Sequence, residues 1–273
     1  MGGRVEGDAA MYALKDKAIV VVGAAQPYGR GCVARFASAG ARLLASDRRN
    51  PGDVLRKTKT PFVRANAADE TQMVAVMARA AELYGHIDGV VCLPGSEGVT
   101  WQGPVTGLAE SSFDWDLGQN AKALLWCLKH GAPLMNDGGA VVAVAAQTAL
   151  TGGATIASHA AAQAAVVAIA KSAALELAAR RIRVNCVLTG PFDSPHLEGT
   201  EREVEVAARL SPLGRMPEPA ELAALVQFLL ADESAYITAA AIPFDGGASA
   251  GVVAPNIVDA LAEVLGTGRD SSA

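Results

Sequence analysis

The sequence predicts one α/β domain, a doubly wound parallel sheet covered by helices on both faces. Three observations carry this expectation. Short β-branched or small apolar runs alternate along the chain with segments of helical apolar spacing. The runs are apolar throughout, as strands buried on both faces are. Across 273 residues the composition is 51% hydrophobic and 19% charged, which allows one large core, and no linker-like stretch divides the chain.

Residues 17–22 (KAIVVV) are the first expected strand. A turn of small residues follows, with Gly23, Ala24, Ala25, Gln26, Pro27, Tyr28 and Gly29. It opens a helix whose apolar residues Cys32, Val33, Phe36 and Ala37 recur at helical spacing, with Gly40 as its stop. The second strand, residues 42–46, ends in Asp47. Strand, glycine turn, helix and acid-ended strand describe a dinucleotide-binding βαβ unit. Glycines let backbone approach a pyrophosphate, and a helix N-terminus attracts its charge. Asp47 suits an adenosine ribose and repels a 2′-phosphate, so NAD is the expected cofactor over NADP; Arg48 and Arg49 pull the other way. A tight turn followed by a solvated strand end is the competing reading, and it leaves the ordered run of elements unexplained. Pro27 fixes φ and lacks an N–H, so weakened cofactor affinity is expected.

Further along, residues 51–59 have room for a helical turn or two, and residues 61–64 read as the third strand. Asn66 and Ala67 follow it, placed for an adenine edge or for a plain turn. Asp69 is the expected N-cap of a helix burying Met73, Val74, Met77 and Ala80. Residues 87–93 are the fourth strand, ended by Pro94, Gly95 and Ser96. A long helix is expected from Glu110 through Trp115, Leu117, Leu124, Leu125, Leu128 and Met135, with Asn120 on it. Residues 140–145 form a fifth strand, 156–179 an alanine-rich helix, 182–188 a sixth strand, 219–231 a helix and 240–244 the last strand. Small side chains all round the alanine-rich helix permit close approach of another subunit's helix, or simply mark a good helix former. Residues 1–13 read as a loose tail, 14–250 as the domain, and 251–273 as an extension with a short helix over 255–265.

A net charge of −5 and a pI near 5.4 argue against nucleic acid as partner. No window approaches the roughly twenty apolar residues of a membrane span, and the first dozen residues lack the apolar run of a secretory signal. Cys32, Cys92, Cys127 and Cys186 are far apart, as reduced core thiols of a cytoplasmic protein are. No His, Cys and acidic cluster has ligand spacing, so no metal is expected.

The element order and motifs over residues 14–247 resemble the short-chain dehydrogenase/reductase family, which implies a Rossmann fold. Gly23 to Gly29 is similar to that family's glycine turn, Asn66 to Asp69 to its adenine-contacting turn, and Asn120 to its helical Asn. Arg183, Val184 and Asn185, then Gly190, Pro191, Phe192, Asp193 and Ser194, resemble the segment facing the nicotinamide. Pro212 to Arg215 and Asp245 to Gly247 resemble the family's C-terminal half. The resemblance implies a Tyr that exchanges the substrate proton, a Lys four residues on, and a Ser about thirteen residues upstream. Here those positions hold His159, Gln163 and Ala146, and only Asn120 remains; Cys92, Leu93, Pro94 and Gly95 replace the family's Asn-Asn-Ala-Gly.

The expected function is therefore an oxidoreductase homologue with a degenerate site, a non-catalytic or weakly active subunit. The resemblance implies a dimer or tetramer, either a homo-oligomer or a hetero-oligomer with a catalytic paralogue. One alternative uses His159, whose unperturbed pKa of about 6.5 suits proton exchange near neutrality; Gln163 would orient the ring or bind a ribose, and Thr148 would supply the hydroxyl. In the competing view His159 is a residue freed from catalytic duty and a partly exposed helix residue. A further alternative is a dinucleotide-binding regulator. His196 is a candidate substrate contact in the cover segment 195–209, while His86 and His130 are expected at the surface near helix ends.

Overall fold

The computed structural model describes residues 12–93, 103–190 and 211–251. Seven strands form one parallel sheet: β1 (Ala18–Val22), β2 (Arg42–Asp47), β3 (Phe62–Arg64), β4 (Ile87–Cys92), β5 (Met135–Ala146), β6 (Arg183–Thr189) and β7 (Ala241–Phe244). Their order is β3-β2-β1-β4-β5-β6-β7, the doubly wound sheet that the alternating pattern predicts. Chain order reverses between β1 and β4, and open α/β sheets bind ligands beyond the carboxyl ends at such a switch point. Val22 pairs with Ser46 on one side and Cys92 on the other, so Gly23, Asp47 and Leu93 emerge together at that edge.

The helices are α1 (Pro27–Ser38), α2 (Asp53–Thr58), α3 (Glu70–Tyr84), α4 (Glu110–Leu117), α5 (Ala123–Gly131), α6 (Thr148–Thr151), α7 (Ala157–Glu176) and α8 (Pro219–Leu230). One face of the sheet packs against α3, α5 and α7 through Met73, Met77, Leu124 and Val166. The other packs against α1 and α8 through Val33, Phe36, Leu222 and Leu229. Full burial of each such side chain contributes about 1.5–3 kcal/mol. Gly31 lets α1 and α8 touch, since a Cβ there would stand 2.9 Å from the Pro219 carbonyl oxygen.

Asp69 caps α3 as expected, its carboxylate accepting from the Gln72 backbone N–H at 3.0 Å. Val74, expected on the buried face of that helix, is 44% exposed, and Val76 takes its place with Met73, Met77 and Ala80. The single long helix expected over 110–135 is interrupted. A π-turn, Gly118–Lys122, separates α4 from α5, a 3-10 turn covers Ala132–Leu134, and Met135 already belongs to β5. The cause is local: the Asn120 side-chain Nδ2 donates to the Asp116 carbonyl at 2.8 Å and intrudes on the backbone ladder. Met135 pairs with Ile87, and a register shift before Gly89 absorbs the extra residues of β5. The extension helix expected over 255–265 lies outside the described residues.

Gly29 is where the fold and the candidate cofactor turn meet most tightly, because a Cβ there would stand 2.2 Å from the Gly23 carbonyl oxygen. Gly29→Ala is expected to lower stability by about 3 kcal/mol, read as a shifted midpoint in chemical denaturation; an unchanged midpoint would contradict the packing described.

Candidate functional site

The switch-point edge is built from backbone first. Gly23 adopts φ +86° against β4, where a Cβ would lie 2.3 Å from the Leu93 carbonyl oxygen. Ala25 N–H donates to Asp47 Oδ2 and Arg49 N–H to Oδ1, both at 3.0 Å, so the acid at the end of β2 holds the turn after β1 in place. Gln26 is the N-cap residue of α1 and its Nε2 donates to the Leu93 carbonyl at 3.3 Å. Pro27 is the first residue of α1, a position whose N–H has no helical partner in any case. It thus opposes anion binding less than its place in the turn implies. Tyr28 is buried, and the first turn of α1 carries no acidic side chain. Beyond β3, the Asn66 side chain accepts from the Ala68 N–H at 3.1 Å and Ala67 is half-buried. The Arg48 guanidinium stands 5.8 Å from the Trp115 ring centroid.

These groups fit a dinucleotide. Asp47 is 5% exposed, and each of its oxygens accepts one backbone N–H, leaving lone pairs for ribose hydroxyls. The N-terminus of α1 would hold the pyrophosphate, and Asn66 and Ala67 the adenine. Gly95 and Ser194, also expected at the cofactor, lie outside the described residues, as does His196.

At the second centre, Ala146 ends β5 and presents a methyl group. Its N–H donates to Gln163 Oε1 at 3.0 Å, and Gln163 Nε2 donates to Asn120 Oδ1 at 2.9 Å. Asn120 in turn holds the Asp116 carbonyl, and the Asp116 carboxylate accepts from Ser158 Oγ at 2.6 Å. All five side chains or backbones in this chain are buried. His159, expected to be partly exposed if freed from catalytic duty, is instead buried at 4% exposure as the third residue of α7, between Ser158 and Gln163. The structure joins Ala146, Gln163 and Asn120 by hydrogen bonds, and His159 lies one helical turn before Gln163 on α7. The Gln163 carboxamide uses one of its two N–H groups on Asn120 and one lone pair on the Ala146 N–H, so the ribose contact expected of it would fall to its second N–H. Asp116 and Ser158 escaped the sequence reading; the signals were an acid one helical turn before Asn120 and a serine directly before His159.

Beside this centre, Gln147 Oε1 and Thr148 Oγ1 are buried and have no hydrogen-bond partner among the described residues. Further along the same edge, a cavity of about 590 Å³ is bounded by Gly190, Pro212, Leu213, Met216 and Phe244. Arg215 spans its rim in a two-pronged contact with Glu221 at 2.7 and 2.8 Å. Burial works to raise the Asp245 carboxyl, yet hydrogen bonds from Ser249 and Gly247 outweigh it and hold the group below its usual range.

Burial pushes the Cys32 and Cys186 thiols up to about 12, so neither supplies a thiolate near neutrality. His86 Nε2 stands 3.1 Å from Asp88, and His130 Nε2, in the last turn of α5, 3.0 Å from Glu70. Among the described residues there is no group of three or more His, Cys, Asp or Glu placed to hold a metal ion. No described helix is long and apolar enough to cross a membrane.

A family model described as enoyl-(acyl carrier protein) reductase matches residues 23–249. The 3-oxoacyl-acyl-carrier-protein reductase of Thermotoga maritima is 31% identical over 245 residues, 86% of this chain and 98% of that protein. The cis-4-hydroxycyclohexanecarboxylate dehydrogenase of Sinomonas cyclohexanicum is 31% identical over 248 residues, 87% of this chain and 98% of its own length. Among solved structures, a levodione reductase superposes with TM-score 0.79 at 27% identity, covering 88% of this chain and all of the other. A mutant short-chain dehydrogenase/reductase of Serratia marcescens gives TM-score 0.79 at 26% identity, covering 86% and 99%.

Gln163→Leu leaves the Ala146 N–H and Asn120 Oδ1 buried without partners, and is expected to lower stability by about 2–5 kcal/mol. Thermal or chemical unfolding checks this, and a neutral effect would show that the carboxamide does not tie the centre together.

Proposed function

We propose that this chain, which belongs to the short-chain dehydrogenase/reductase family, is an oxidoreductase homologue whose own site is non-catalytic or weakly active and which assembles with a catalytic paralogue acting on a hydroxy or keto substrate. The observation that carries this reading is that Gln163, Asn120, Asp116 and Ser158 are tied to one another and to the Ala146 N–H by hydrogen bonds. Gln163 joins Ala146 to Asn120, and Asn120 and Ser158 close on Asp116. Ala146 has no hydroxyl to polarise a carbonyl, and Gln163 is neutral, so it cannot lower a neighbour's pKa by charge. Loss of acid–base assistance removes about 100- to 10,000-fold in rate. NAD is the proposed dinucleotide, with Asp47 on its ribose and α1 at its pyrophosphate; when bound, its nicotinamide supplies or accepts hydride. Subunit assembly through α4–α5 and α7 is supported by outward apolar side chains there, Leu125 at 40% and Leu175 at 77% exposure. Relatives named for 3-oxoacyl, hydroxycyclohexanecarboxylate and 2,3-butanediol chemistry support the hydroxy/keto class. Buried thiols without disulfides accord with a cytoplasmic location.

A second reading has one specific observation in its favour. His159 occupies the acid–base position, and Thr148 Oγ1, unpartnered among the described residues, lies two residues beyond Ala146. In this reading the protonated imidazole gives its proton to a carbonyl oxygen as hydride reaches the carbon, and takes it back in the oxidative direction. Proton transfer without hydride would use the same ring. A third reading, a regulator that binds dinucleotide without turnover, rests on the Asp47 edge alone.

Assay of the purified chain, alone and mixed with a catalytic paralogue encoded beside it, separates these. The proposal expects turnover by the isolated chain at least about 100-fold below that of ordinary reductases, with activity carried by the mixture. Ordinary rates from the isolated chain would overturn it. His159→Ala is expected to leave the mixture's rate unchanged, whereas the second reading requires its turnover to vanish. Calorimetric titration with NAD tests the remaining pair, because absence of any binding removes both the second and third readings.

A further inference from the structure

We propose that Arg48 and Trp115 form a strap across the adenosine end of the switch-point cleft, and that Trp115 exchanges the guanidinium for the adenine base when a ligand enters. The strap has this role only if the edge is a dinucleotide site, as proposed above. Arg48 directly follows Asp47, the acid proposed for the ribose, and its carbonyl accepts from Arg64 Nε at 2.7 Å. Arg64 ends β3, two residues before Asn66, so the strap starts beside the turn expected at the adenine. Its other half, Trp115, belongs to α4, and the next residue, Asp116, accepts from Ser158 on α7. That helix is tied in turn to the end of β5 through Gln163 and the Ala146 N–H. In the sheet, β1 and β4 lie between β2 and β5. A guanidinium 5.8 Å from the Trp115 ring centroid therefore reaches across the carboxyl ends of the intervening strands, where chain order reverses and such folds take their ligands.

The two possible occupants of the indole differ in strength. A guanidinium over an exposed aromatic ring is worth about threefold in an equilibrium constant. A nucleobase stacked on an aromatic side chain is worth about 30-fold in affinity. The base therefore wins the ring by about tenfold, the ratio of the two. Withdrawal of the guanidinium leaves the core intact, because Trp115 is 41% exposed and Arg48 only half-buried. Arg48 thus competes with the ligand for Trp115, and the strap lowers affinity for any adenosine-bearing molecule without abolishing it.

Titration of the full chain with adenosine and with NAD, read by calorimetry and by quenching of tryptophan fluorescence, tests the strap. Adenosine is uncharged, so loss of a guanidinium does not change its affinity through charge. Arg48→Met uncovers the indole and should tighten adenosine binding by about threefold. Trp115→Leu loses the stack and is spared the strap, so adenosine and NAD should each bind about tenfold more weakly, and the quenching should be lost. Opposite signs from the two partners of one contact are the signature, because a purely structural pair would weaken binding from either side. Both side chains reach the surface, so melting temperatures near that of the unaltered chain are expected, and either variant alone reads its sign. Weaker adenosine binding in Arg48→Met makes Arg48 a ligand contact and overturns the proposal, as does an affinity unmoved in Trp115→Leu. NAD that binds equally well to the unaltered chain and both variants sinks the strap alone. Failure of NAD and adenosine to bind the unaltered chain sinks the dinucleotide reading and the strap with it.

Discussion

The two hydrogen bonds of the Gln163 carboxamide constrain everything around the second centre. One joins α7 to the end of β5, and the other joins α7 to the π-turn between α4 and α5. A neutral amide can do this because it has a donor and an acceptor to offer and no charge to desolvate. An ammonium in the same buried place could offer only donors, and its charge would need a partner. The substitution therefore alters two properties at once: it removes a charge that would tune a neighbouring acid, and it joins β5, α7 and the π-turn through a neutral amide.

The π-turn belongs to the same arrangement. Widening the helix at Gly118–Lys122 releases the Asp116 carbonyl to Asn120, and Asn120 then meets Gln163 with its oxygen. Asp116, one turn earlier, ties Ser158 in the first turn of α7, so His159 is flanked by anchored residues on both sides. Each bond alone is worth about 1 kcal/mol net, but an orphaned buried member costs more than that. The chain of bonds thus behaves as one unit, and Gln147 Oε1 and Thr148 Oγ1, without partners among the described residues, lie outside it.

Most of the architecture was legible in the sequence because apolar runs and glycine turns have local causes. The parallel strands, the Asp69 cap and the acid at the end of β2 follow from residue type and spacing. The interruption of the helix at Asn120 was not legible, since it arises from a side chain bonding its own backbone one turn back, which leaves no trace in apolar periodicity. The early start of β5 at Met135 was hidden by Asn136, Asp137, Gly138 and Gly139, residues that read as a turn but are carried in the strand by a register shift. At the site, the sequence placed Ala146, His159 and Gln163 through the family's spacing. It could not show that Gln163 bonds Ala146 and Asn120, or that Asp47 spends one lone pair of each oxygen on the turn, because those are contacts across elements.

The cofactor edge and the second centre thus differ in character. Asp47 keeps lone pairs to offer and α1 keeps an N-terminus without acidic side chains, whereas Gln163 bonds within the protein through both its oxygen and its nitrogen. The most direct test is a crystal structure of the chain soaked in NAD. The account predicts that the Gln163 carboxamide stays on Asn120 and the Ala146 N–H, leaving only its second N–H to the nicotinamide ribose. A carboxamide swung away from both and bonded to the nicotinamide ribose would contradict it.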